Sequence, residues 1–136
     1  MPQGELAHVT RGRALEIYTW LFRPFLYHAI HHPANHPDRA SVQQFVDNAL
    51  RMARATIEGG ILRHRHHGTW FHLRSGISSA LSLIAAHRCG HINLPPDWRE
   101  VVWTQMSILD FWAKESCDIA KAKDMLNTMM VECAIV

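Results

Sequence analysis

Residues 14–30 read ALEIYTWLFRPFLYHAI. Apolar side chains stand at Ala14, Ile17, Tyr18, Leu21, Phe22, Phe25, Leu26, Ala29 and Ile30, three and four positions apart, which predicts a helix with a broad apolar face. Pro24 removes a backbone donor inside that pattern, so the spacing predicts a kink there or a restart as RPFLYHAI. The helix is also more apolar than a small bundle needs. Trp20, Leu21, Phe22, Phe25, Leu26 and Tyr27 fall within eight positions and point around much of the circumference. Surface without a partner in the chain is therefore expected, and with it self-association through this helix and the RPFLY segment.

Working outward, HHPANHPD carries Pro33 and Pro37 and cannot continue a helix, so it reads as a turn. Ser41 with Gln44 fits a capping box, with Asp38 competing for the cap, ahead of a stripe at Val42, Phe45, Val46, Ala49, Leu50, Ala53 and Ile57. That helix is expected to stop at Gly59 and Gly60 or to fray into ILRHRH. A third stripe runs through Trp70, Leu73, Ile77, Ala80, Leu81 and Ile84, with Thr69 as its natural N-cap and Gly90 as a left-handed stop. The fourth opens near Pro96 with Asp97 and Glu100 at the positive end of the dipole, and carries Trp98, Val101, Val102, Leu109 and Trp112. A fifth, capped by Ser116 or Asp118, runs through Ala122, Met125, Leu126, Met129 and Cys133. Nothing alternates with period two and no internal repeat is visible. The fold class is all-α, about five helices in an irregular bundle, as a single helical domain spanning residues 1–136.

Composition narrows the classes of function. A chain of 136 residues that is 48% hydrophobic can bury one core but not two comfortable ones. The net charge of +2 is too small to argue for a polyanionic partner, although residues 1–92 hold ten Arg against five acids and residues 93–136 hold four basic residues against seven acids. Cys89, Cys117 and Cys133 are widely spaced and odd in number, which fits neither a disulfide scaffold nor a metal knuckle and points to a reducing compartment. No apolar run approaches the roughly 20 residues of a membrane span, and the first residues lack a secretion signal's apolar centre. A soluble protein is expected.

Eleven histidines raise the question of a metal. His28 and His32 are four apart, as are His87 and His91, but neither pair encloses the glutamate that a catalytic zinc helix uses as its base. No specific metal site is expected on that ground, and the histidines read as surface, capping and turn residues. Ser75, Ser78 and Ser79 lie inside a predicted helix without the turn of an activated serine. Gly59 and Gly60 lack the context of a phosphate loop. The basic run RHRHH from Arg63 to His67 reads as a solvated turn, with Trp70 belonging to the core and not to a base-stacking platform.

Two strings remain, RPFLYHAIHHP from Arg23 to Pro33 and RHHGTWFHLRSGISSALSLIAAHRCG from Arg65 to Gly90. Together they resemble the fungal zinc-cluster transcription factors, in the C-terminal part of their large helical regulatory domain. LPPDWREVVWTQMSILDFWAKES, residues 94–116, is similar to the proline-rich link and tryptophan-bearing helix that follow in that family. The similarity runs from about Ile17 to Met130.

The resemblance implies a non-enzymatic regulatory module of the nucleus that transmits protein contact or a small-molecule inducer to transcription, with no cofactor. Its motif or interface residues would be Arg23, Pro24, Phe25, Tyr27, His66, His67 and Trp70. The family binds DNA through six cysteines that hold two zinc ions, and this chain has three cysteines, all after residue 88. Direct DNA binding by this chain is therefore not expected. Two other classes of function stay open: a small helical enzyme or metal-binding protein using the histidines, and a structural interaction module.

Overall fold

The computed structural model describes residues 3–59, 65 and 67–134. Five helices follow one another: α1 (Gln3–His31), α2 (Arg39–Glu58), α3 (His67–Cys89), α4 (Trp98–Trp112) and α5 (Cys117–Glu132). No strand occurs among the described residues. The all-α expectation and the number of helices hold.

The third helix is the axis of the fold, because it packs against all four others, whereas α1 packs on α2 and α3 and α5 packs on α4 and α3. Its sequence explains that position. Gly76, Ser79, Ala80, Ser82 and Ala86 are small and buried, so neighbouring backbones approach closely, while Leu73, Leu83 and Ile84 fill the space between them. A Cβ at Gly76 would overlap the Gln105 amide of α4, and one at Gly12 would overlap the His72 imidazole. Glycine at both positions sets the distance between helices.

Several local expectations are corrected. The first helix begins about three turns before the apolar stripe that announces it. Its early turns hold Gly4 and Gly12, which weaken the sequence signal, yet Gly12 is where α1 crosses α3. α1 also runs through Pro24 without a restart. Pro24 and Trp20, whose carbonyl loses its amide partner, both lie on the solvent side, where water can take the place of the missing donor. The capping box does not form, since Ser41 lies inside α2 and Asp38 occupies the cap position. Thr69 is not the cap of α3 either: the helix opens at His67 and Thr69 sits within its first turn, 1% exposed. Met125 is 46% exposed, so α5 buries Ile119, Leu126 and Met130. Ser116 does stand at the cap of α5 and Gly90 does take a left-handed turn, φ 78°.

The last turn of α1 is tied to the α3–α4 link by one side chain. The carbonyl of Ala29, in a residue that is buried, would be paired by the amide of residue 33, but Pro33 has none. The Nε2–H of His91 donates to it instead, at 2.8 Å. His91→Ala is expected to cost about 1–3 kcal/mol, the penalty for an unpaired buried acceptor, read as a shift in urea midpoint. His91→Gln, whose amide can donate, should recover part of it. Equal stability of the Ala variant and the parent would show that Ala29 finds its donor elsewhere.

Candidate functional site

The RPFLY segment splits between core and surface. Leu26 is its core anchor, while Phe25 stacks on Phe45 of α2 with ring centroids 4.6 Å apart. Arg23 lines a small, partly open recess of about 10 Å³ with Thr19 and Ser79, the size that holds one water. Both Arg23 Nε and Ser79 Oγ are enclosed there without a protein partner. Pro24 and Tyr27 face outward.

That outward side of α1 forms a second apolar stripe. Ile17, Trp20 and Leu21 are 65%, 65% and 59% exposed, and with Pro24 they follow the spacing i, i+3, i+4, i+7. With Tyr27 they occupy an arc of about 120°, opposite the buried Thr19 and Leu26. The helix thus carries two apolar faces, of which the core uses one.

His66 lies outside the described residues, as do the side chain of His67 and the rest of the basic run except Arg65. Arg65 is exposed and pairs with Glu115 at 3.5 Å. Trp70 packs edge-on against Trp112, centroids 6.0 Å apart, and so belongs to the core's edge. Beside this turn, a groove of about 300 Å³ opens between α1, the end of α2 and the start of α3, with His8, Arg11, Glu16, Phe71, His72 and Ser75 among its lining. Its size is at the lower end for a small-molecule site.

A cluster of chemistry-bearing groups lies where α1 meets α2. The rings of His28, His32 and His36 gather with centroids 4.2, 4.6 and 4.9 Å apart. The His32 Nδ1–H donates to the His28 carbonyl at 2.9 Å. His36 Nδ1 accepts the Asp38 amide N–H at 3.2 Å and stands 3.9 Å from Asp38 Oδ2. Asp38 makes no side-chain bond to the helix it caps. Enclosure lowers the pKa of His28, and His32, His36 and Arg39 lower it further against the opposing effect of Asp38. The ligand-bearing atoms of His28, His36 and Asp38 all lie within 4.8 Å of one another.

The His28–His32 pair encloses no acid in sequence. The fold supplies one from beyond the turn. The signal that could have found it is the threefold repetition of histidine at spacing four, His28, His32 and His36, followed two residues later by Asp38. The other pair disperses: α3 ends at Cys89, His87 lies against Trp98 with centroids 4.7 Å apart, and His91 is engaged by main-chain oxygen. Among the serines, Ser79 is buried in the helix packing and the Ser78 carbonyl accepts the Ser82 hydroxyl at 2.9 Å.

No family model, no curated protein and no solved structure matches the chain.

Proposed function

We propose that this chain is a non-enzymatic helical regulatory module of a fungal zinc-cluster type transcription regulator. It acts in the nucleus by protein contact and without a DNA-binding cluster of its own. The observation that carries the protein-contact part is the second apolar stripe of α1: Ile17, Trp20 and Leu21, each more than half exposed. Large aromatic and aliphatic groups clustered on one helix face are the usual anchors of a protein interface. The order of the RPFLY, RHHGTW and LPPDW strings along the chain supports the transcription-factor part. The groove beside His72 offers an inducer a place to bind, between the helix that carries the interface and the helix at the centre of the fold.

Two measurements test this. Sedimentation at micromolar concentration should show self-association of the isolated chain, abolished by Trp20→Glu with Leu21→Glu. Tethered to an unrelated DNA-binding domain, the chain should change expression of a reporter, and the same double variant should lose that effect while keeping its helical circular dichroism. A monodisperse monomer that binds no hydrophobic dye and leaves the reporter unchanged would overturn the reading.

A further inference from the structure

We propose that His28, His36 and Asp38 form a binding site for a divalent transition-metal ion of the Zn²⁺ type at the junction of α1 and α2. The site draws one ligand from each of three consecutive pieces of chain: the last turn of α1, the connecting turn, and the cap position of α2. Two imidazole nitrogens and one carboxylate oxygen suit zinc, copper or nickel better than calcium or magnesium, and three protein ligands leave a fourth position for water.

The distances need little adjustment. Metal–ligand bonds of about 2.0–2.1 Å place tetrahedral neighbours roughly 3.3 Å apart. The His36 Nδ1 to Asp38 Oδ2 separation is 3.9 Å, and no separation in the triangle exceeds 4.8 Å. The Asp38 side chain is 68% exposed, so its carboxylate can rotate inward without disturbing the core.

Two of the three ligands are uncommitted. His28 Nε2 is enclosed and has no hydrogen-bond partner, an arrangement that costs free energy unless something satisfies it. The single lone pair of His36 Nδ1 accepts the Asp38 N–H at 3.2 Å, so metal binding there exchanges that hydrogen bond for the metal bond. Asp38 stands at a helix cap, where a carboxylate ordinarily accepts a backbone donor, and does not do so. His32 acts as a positioning residue: its Nδ1–H grips the His28 carbonyl while its ring stacks on the His28 ring. One group opposes a cation. Arg39, the first residue of α2, carries its charge close enough to His28 to lower that ring's pKa.

The test uses the full chain, stripped with a chelator and titrated with Co²⁺ as a visible probe, then with Zn²⁺. One Co²⁺ per chain should bind with the intense d–d absorption of four- or five-coordination, and Zn²⁺ should displace it. His28→Ala, His36→Gln and Asp38→Asn should each weaken binding by at least about tenfold, since losing even an outer partner of a ligand costs roughly 10- to 100-fold. Arg39→Gln should tighten it. His31→Gln, an exposed residue on the same helix end, should change nothing. Asp38→Asn, at an exposed side chain, keeps the test valid if His28→Ala unfolds.

Eleven histidines also bind transition metals adventitiously. Several weakly held ions without the visible band would therefore overturn the proposal. So would an affinity that the three ligand variants reduce no more than His31→Gln does.

Discussion

Trp112→Ala is expected to destabilise the chain by about 3–5 kcal/mol, the range for truncating a buried large aromatic. The indole is 2% exposed and closes the end of α4. It meets Trp70 of α3 edge-on at 6.0 Å and Phe111 at 5.2 Å. Removing it leaves a cavity that α3, held by packing on four helices, cannot collapse to fill. The measurement is a urea unfolding curve, in which the midpoint should fall while the slope stays unchanged. Trp70→Ala should cost less, because Trp70 is only partly buried, and the double variant should cost less than the two losses added, since the rings touch. A loss below about 1 kcal/mol for Trp112 would remove it from the core.

The second large effect separates the two faces of α1. Leu26→Ala should cost about 2–5 kcal/mol, whereas Leu21→Ala, the same change five residues earlier, should stay within about 0.5 kcal/mol. Leu26 is 1% exposed and Leu21 is 59% exposed. At micromolar concentration the ranking in solution mass should reverse, with Leu21→Ala weakening self-association and Leu26→Ala, where folded, leaving it intact. Similar stability losses for both would mean that the outer stripe is covered within the chain itself.

This pair also shows what the sequence could reveal. Periodicity places helices because it records which positions recur, and all five were legible from that alone. It does not say which side of an all-round apolar helix meets the core. Leu21 and Leu26 are chemically identical, and only the position of α2 and α3 makes one inner and the other outer. Thr69 shows the same limit, since its hydroxyl suits a cap, but tertiary packing buries it inside α3. The His28, His36 and Asp38 cluster escaped for a geometric reason: its members belong to a helix end, a turn and a helix start, and no single period joins them.

Pro24 has a consequence for whatever covers the outer face of α1. With no amide at residue 24, the Trp20 carbonyl lacks its helical donor in the midst of Ile17, Trp20 and Leu21. A purely greasy surface laid over it would strip the carbonyl of water and leave it unmatched, a penalty of about 1–3 kcal/mol. A partner that brings an indole, amide or guanidinium N–H to that point avoids the penalty. The missing proton of one proline thus becomes a selection rule, admitting surfaces that carry a donor at one coordinate and disfavouring those that are merely sticky.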